Sequence, residues 1–308
     1  MPGLQLETDL WLAEKLNHHD IYHHGLNEVL ARQKTTFQDM VIIDTGAYGK
    51  ALVLDGQWQS STGDEFLYHE PLVQPACVQH GAPRRALVLG GGEGATVREL
   101  LKWHTLEQVV MVDIDADVVA ACRQHLPEMH QHALEDPRSE LIIGDALDYL
   151  DKSEHEWDII ISDLSDPVEN GPSFKLFTRE YFELCRRALR PEGTFVLQAG
   201  SVSPVELDMH VRLVNTVQAV FPNVASYSSF VPSFTVPWGF IMASVQPINR
   251  QPDIAAVDAL LAAKTTGKFR MFDGITLLGL MQTPKHIREA IAAETRVYSL
   301  ADPPKVYG

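Results

Sequence analysis

Hydrophobic and polar positions divide the chain into two kinds of pattern. Before about residue 80 the apolar runs are short: "DMVIIDT" and "KALVLDG" flank Gly46 and Gly49, and "GQWQSST" alternates behind them. Short runs punctuated by glycine predict β-hairpins. "DEFLYHEPLVQPACVQ", residues 64–79, then reads as a linking helix. From Pro83 onward strands and helices alternate. "RALVLG", "QVVMVDID", "SELIIGDA", "EWDIIISDLSD" and "GTFVLQAG" predict strands, and "GATVRELLKW", "ADVVAACRQHL", "REYFELCRRAL" and "VELDMHVRLVNTVQAVF" predict helices. "VASYSSFVP" and "WGFIMASV" follow with no clear helix between them, as an antiparallel pair would. Continuous apolar runs such as Trp157 to Ile161 suit strands covered on both faces. The chain is therefore expected to be α/β, with a β-strand domain and its linking helix over residues 1–80 and a doubly wound sheet over residues 81–308.

In such sheets ligands bind outside the carboxyl ends of the strands. The first strand of the alternating part ends on Gly90-Gly91-Gly92-Glu93, the second on Asp113 and Asp115, and the third on Asp145. The fourth ends on Asp163 and Asp166, and the fifth on Gln198. Asp115 and Asp145 taken singly read as helix N-caps. Four successive strands ending in acids form a rim that caps alone do not account for. Asp113 stands about twenty residues after the glycine loop, the place of a carboxylate that accepts ribose hydroxyls in Rossmann-like proteins. That position serves NAD and S-adenosylmethionine equally. The loop itself, GGGEG, fits neither G-x-G-x-x-G nor the P-loop pattern. Glu93 would oppose a pyrophosphate at the following helix N-terminus. A nucleoside bearing a sulfonium and an amine meets no such conflict, which points to a sheet of the S-adenosylmethionine-methyltransferase type. Glu93 and Asp163 together disfavour a ligand carboxylate and favour a bare ammonium, the tail of decarboxylated S-adenosylmethionine.

Composition adds little until it is set beside that rim. The 308 residues are 45% hydrophobic and 21% charged, with a formal net charge of −16. Such a chain repels nucleic acid and anionic lipid and attracts cations. No stretch approaches the ~20 apolar residues of a membrane span, and the first twenty residues lack signal-peptide regions, so a cytoplasmic protein is expected. Cys77, Cys122 and Cys185 are too dispersed for a disulfide framework or a close-spaced zinc site. The histidine-rich "NHHDIYHHG" has no second cluster near it, and no metal is expected.

"GGGEGATVREL", "MVDIDADVV", "IGDA", "SDLSDPVENGP" and "LQAGS" together resemble the polyamine aminopropyltransferases. "FQDMVIIDTGAYGKALVLDG", "DEFLYHE" and "FDGITLLGLMQTPKHIREAI" extend the resemblance over nearly the whole chain. "GGGEG", "DLSDPVENGP" and "VPSF…WGFIMAS" look most like the thermospermine-synthase branch, and "MHQHALEDPR" more like prokaryotic members using agmatine or triamines.

The resemblance implies transfer of an aminopropyl group from decarboxylated S-adenosylmethionine, as co-substrate with no permanently bound cofactor, to spermidine, putrescine or agmatine, with release of methylthioadenosine. It implies that Gln38, Gln59, Gly90, Gly92, Glu93, Asp113, Asp145 and Asp163 hold the donor, Asp113 at the ribose and Asp145 at the adenine amine. Asp163 and Tyr68 would deprotonate the attacking amine, and His69, Asp166, Gln198 and Phe234 would line the acceptor side. Many relatives carry tyrosine at the place of Phe234, so putrescine as sole acceptor is in doubt. The resemblance also implies a homodimer or homotetramer built partly through the N-terminal strands. A methyltransferase of the same sheet class and a non-catalytic polyamine-binding protein are the alternatives. Glu93 and the Asp163/Asp166 pair speak against the first, and Tyr68 with both aspartates against the second.

Overall fold

The computed structural model describes residues 8–17, 19–167, 171 and 173–304. His18 of the histidine-rich stretch, and residues 168–170 and 172 of "SDLSDPVENGP", lie outside the described residues. The chain opens with a five-stranded sheet in sequential order: β1 (Trp11–Lys15), β2 (Ile21–Lys34), β3 (Asp39–Thr45), β4 (Gly49–Leu54) and β5 (Gln57–Ser61). All four neighbouring pairs are antiparallel. The last three strands coincide with the expected hairpins. β1 and β2 carry mixed polar sequence with no regular alternation, because most of their side chains are exposed.

Helix α1 (Phe66–His80) follows, fully buried from Tyr68 to Cys77. It carries Pro71 and Pro75 inside. A proline at 75 has no N–H for the Pro71 carbonyl one turn back. The Tyr227 hydroxyl donates there instead, at 2.9 Å, so the broken ladder is satisfied by the sheet beneath.

The second sheet alternates with helices: β6 (Arg85–Gly90), α2 (Ala95–Leu101), β7 (Gln108–Asp113), α3 (Ala116–His125), α4 (Pro127–His130), β8 (Ser139–Ile143), α5 (Ala146–Asp151), β9 (Trp157–Asp163), α6 (Arg179–Ala188), β10 (Leu189–Ser201), α7 (Leu207–Gln218), β11 (Asn223–Phe230) and β12 (Pro237–Ser244). Three helices close the chain: α8 (Ile254–Lys264), α9 (Gly274–Leu280) and α10 (Lys285–Ala293). The strand order is β11-β12-β10-β9-β6-β7-β8. β7, β8, β9 and β10 run parallel to their neighbours around β6, and β12 is antiparallel to both β10 and β11. The antiparallel last pair agrees with the missing helix between them in the sequence. The short α5, capped by Asp145, was not legible in the pattern.

Alternate residues of the central strands serve different cores. Ala86 and Val88 of β6 pack with Leu72 and Val73 of α1 and Val97 and Leu100 of α2. Leu87 and Leu89 pack on the other face with Phe182 of α6 and Leu213 of α7. This double covering is why the strands read as continuous apolar runs. A third cluster joins Met40, Ile42 and Leu52 of the first sheet to Val118, Cys122, Leu126 and Met129 around α3 and α4. It seats the N-terminal hairpins over the carboxyl ends of β6 and β7.

Candidate active site

The strand order reverses between the parallel β6 and β9, and their register sets Gly90 opposite Asp163. A crevice outside this point is where open α/β sheets bind ligands. Here it is a crevice of about 910 Å³, counting the solvent space at its open mouth. The hairpins roof it with Gln38, Leu52, Leu54 and Gln59. Its floor is Gly90 to Glu93, Asp113, Asp145 and Asp163, with Tyr68 at the side. Among the described residues lining it are four carboxylates and no lysine, arginine or histidine.

The glycine loop is shaped by the acids beside it. Gly90 has φ +82°, and a Cβ there would run into the Asp163 carbonyl. A Cβ on Gly91 or Gly92 would sit 3.0 Å from a carboxylate oxygen of Asp163 or Asp113 respectively. The Gly91 N–H donates to the Asp163 carbonyl at 2.9 Å. The loop thus lies against the ends of β7 and β9 with no room for side chains, bringing Glu93 to the same cavity.

Asp163 accepts from the Tyr68 hydroxyl at 2.7 Å and from the Thr96 hydroxyl at 2.6 Å. Burial and the nearby Glu93 charge raise its pKa, the two hydroxyls notwithstanding. Burial, the negative charge of Asp163 and their hydrogen bond raise Tyr68 well above its usual value, so the phenol stays a donor. Asp113 accepts from the Asp115 N–H at 2.8 Å and is pushed up to about 6, chiefly by burial. Asp145 lines the cavity while capping α5 through the Leu147 N–H at 2.7 Å. Asp115 caps α3, as the sequence implies, and does more. It accepts from Thr35 at 2.6 Å and from Gln38 at 3.0 Å, fastening the β2–β3 turn over the cavity.

His69, Asp166, Gln198 and Phe234 are not among the residues lining this cavity. His69 points inward from α1, fully buried behind Glu93. Gln198 donates to the Leu164 carbonyl at 2.7 Å and to Asp166 at 3.1 Å, and accepts from the Gly200 N–H and the Trp238 indole. Its amide is fully occupied in holding Asp166 and Trp238. Burial pushes Asp166 up to about 6. The Phe234 ring stands edge-on between Tyr68, at 6.0 Å, and Trp238, at 4.9 Å. Tyr68, Phe234, Trp238, Gln198 and Asp166 are therefore contiguous beside Asp163. Thr96 and the partners of His69 were missed in the sequence. For His69 the available signal was its i,i+4 spacing from Glu65.

His69, Glu93 and Asp163 place ligand atoms within 4.8 Å of one another. Both ring nitrogens of His69 already face carboxylate oxygens, so the imidazole has no lone pair to offer a metal.

Residues 65–252 match the spermine/spermidine synthase domain, and residues 11–61 match the spermidine synthase tetramerisation domain. The chain belongs to the spermine/spermidine synthase family. It is 54% identical over 303 residues to the polyamine aminopropyltransferase of Synechococcus sp. strain JA-3-3Ab, covering 96% of this chain and 97% of that one. The polyamine aminopropyltransferase of Aeropyrum pernix is 42% identical over 94% of this chain and 93% of its own. A spermidine synthase solved with the transition-state analogue AdoDATO superposes with a TM-score of 0.86 at 25% identity, over 94% of this chain and 98% of that one. The Thermotoga maritima spermidine synthase gives 0.85 at 25% identity, over 94% and 97%. As a member of this family the protein is a polyamine aminopropyltransferase, catalysing aminopropyl transfer in polyamine biosynthesis.

Proposed function

We propose that the donor is decarboxylated S-adenosylmethionine and that the cavity holds it whole. The observation that carries this reading is the lining: four carboxylates and no basic side chain. A sulfonium and an ammonium are welcome there, and a ligand carboxylate is not. In this reading Asp113 accepts the ribose hydroxyls, Asp145 the adenine amine, and Glu93 and Asp163 the terminal ammonium. Gln38, Gln59, Gly90 and Gly92 enclose the nucleoside. A structural neighbour was solved in complex with the transition-state analogue AdoDATO, which supports this class of donor.

The acceptor enters as an alkylammonium with a reference pKa near ~10 and cannot attack until it loses a proton. Asp163 takes that proton, with Tyr68 fixing one of its oxygens. The freed nitrogen then bonds to the carbon next to sulfur. The carbon–sulfur bond breaks with its electron pair going to sulfur, and neutral methylthioadenosine leaves. The sulfonium is already a good leaving group, so alignment of nitrogen, carbon and sulfur is the enzyme's main contribution. Asp166, held by Gln198, offers the acceptor a second anion, and Phe234 gives it an apolar wall. A triamine or agmatine can reach further carboxylates and is favoured over putrescine; with spermidine as acceptor the enzyme would be of the thermospermine type. The test is product identification by mass spectrometry with putrescine, spermidine and agmatine. Higher catalytic efficiency with spermidine or agmatine supports the reading, and a strong preference for putrescine overturns it.

The same proposal assigns residues 81–308 as the catalytic domain and residues 1–80 as its roof, with Tyr68 contributed from the linking helix. The tetramerisation-domain match supports a homo-oligomer, dimer or tetramer, formed through the N-terminal strands. No described helix is long and apolar enough to cross a membrane, and a cytoplasmic location is proposed.

A further inference from the structure

Behind the cavity, between α1 and α2, charges alternate along an unbroken chain. Lys102 stands 2.7 Å from Glu99, Glu99 3.0 Å from Arg98, and Arg98 2.7 Å from Glu65. Glu65 is 2.9 Å from His69 Nδ1, and His69 Nε2 is 2.9 Å from Glu93. The two ends, Lys102 and Glu93, are the most exposed members, and the His69 side chain between them is fully buried. A carboxylate only accepts hydrogen bonds. An imidazole placed between two ionised carboxylates donates from both nitrogens, which makes it an imidazolium. We propose that Glu65, Arg98 and His69 form a fixed-charge relay that keeps Glu93 anionic at the cavity, with Glu65 as its positioning residue.

Burial alone would push Glu93 toward its neutral form and His69 toward loss of its proton. Instead the hydrogen bond and charge of His69 hold Glu93 below the usual carboxylate range. The two carboxylates overcome burial at His69 and raise it to about 10. Glu65 in turn is held at about 2: burial opposes its ionisation, and the cations on either side prevail. The groups facing His69 are Glu65 at the N-cap of its own helix, Glu93 from the glycine loop, Asp163 from β9 and the Tyr68 ring edge-on at 4.9 Å. Arg98 acts from α2 through Glu65, which accepts its Nη2, while its Nη1 donates to the Met129 carbonyl at 2.6 Å. Along this chain three cations alternate with three carboxylates, and the last member, at the cavity end, is the carboxylate of Glu93, whose partner is the His69 imidazolium.

The inference rests on the reading of Glu93 as an anchor for the donor ammonium, and two measurements separate the two. The first needs no donor. In histidine-15N-labelled wild-type enzyme at pH 8, one ring, identified by its loss in His69→Gln, shows both nitrogens protonated and slow to exchange. A neutral imidazole at that position overturns the relay. The second is calorimetric titration with decarboxylated S-adenosylmethionine from pH 7 to 9. Wild-type affinity stays flat. In Glu65→Gln the imidazolium and Arg98 lose their shared anion, leaving positive charge behind Glu93. Affinity falls about ten-fold at pH 7, the scale of one uncompensated charge several ångströms away. It recovers toward wild type by pH 9, as His69, now with one carboxylate partner, sheds its proton. A loss that does not change with pH marks a merely structural role and overturns the proposal, as does no loss at all. Wild-type donor affinity in Glu93→Gln would refute the anchor reading, while the ring signals would still decide the relay.

Discussion

Two acidic regions lie on either side of Glu93, and they are built in opposite ways. Behind it, Glu65 and Glu99 are each matched by Arg98, and His69 and Lys102 complete the pairing at the two ends. In front, Asp113, Asp145 and Asp163 face a cavity with no basic side chain among its described lining residues. The matched carboxylate Glu65 sits at about 2, whereas the unmatched Asp113 is pushed up to about 6. The rear carboxylates are buried, while Asp113 and Asp163 are half-buried and Asp145 is exposed, yet it is the less buried Asp113 that is pushed up. What separates them is whether the cation is supplied by the protein or left for the ligand. A site for a cationic substrate must forgo internal pairing and carry the resulting strain in ionisation until the substrate arrives.

The largest effect is expected where the unmatched region does chemistry. Asp163→Asn keeps the shape and removes the charge and the proton acceptor. Its turnover should fall roughly 10²–10⁴-fold, the span of a lost general base. Steady-state assay of methylthioadenosine release checks this, and activity within a few-fold of wild type contradicts the role.

Next comes the matched region. Arg98→Met leaves Glu65 and Glu99 buried without their shared cation. Breaking one partner out of a buried pair costs about 3–5 kcal/mol. Urea denaturation at pH 7.5 should show that loss, and a change below ~1 kcal/mol would mean that the pairing behind Glu93 contributes little.

Asp113 should behave in the opposite sense. Its folded-state pKa, about 6, lies above that of an unfolded aspartate. Its contribution to stability is therefore complete below pH ~4 and lost as the pH rises through about 6. Asp113→Asn should raise the melting temperature of the unliganded enzyme at pH 7.5 by roughly 2–4 °C, the scale of about 1 kcal/mol. The same change should weaken donor binding. A variant that melts lower and binds as before would contradict the comparison.

The smallest effect is expected at Phe234, outside both regions. Phe234→Tyr places a hydroxyl between Tyr68 and Trp238. In the amine panel it should shift efficiency toward putrescine by roughly two- to thirteen-fold, about one hydrogen bond of ~0.5–1.5 kcal/mol. An unchanged ratio would make Phe234 packing alone.

Much of this arrangement was legible in the sequence because buried parallel strands announce themselves and end where ligands bind. The carboxyl ends of the runs "RALVLG", "VVMVDID" and "WDIIISD" were enough to collect Glu93, Asp113 and Asp163, and all three line one cavity. The part that was not legible depends on side chains meeting across elements. His69 comes directly after Tyr68, yet α1 turns it away from the cavity onto Glu93. The cation that matches Glu65 on its other side, Arg98, is 33 residues away and belongs to another helix. Asp115 reads as a cap, which it is; its hold on Thr35 and Gln38, at sequence separations of 80 and 77, needs the hairpins in place. β1 and β2 escaped notice because their exposed faces leave no alternation, and α5 because its six residues are too few for a helical period to emerge.

The claim that the cavity is built for a cation without a carboxylate is tested most directly by calorimetric titration of the wild-type enzyme with two donors. Decarboxylated S-adenosylmethionine and S-adenosylmethionine share the nucleoside and the sulfonium and differ at the tail beside Glu93 and Asp163. The decarboxylated donor should bind at least about ten-fold more tightly, the scale of one like-charge contact at such a site. Equal affinity, or tighter binding of S-adenosylmethionine, would contradict the account.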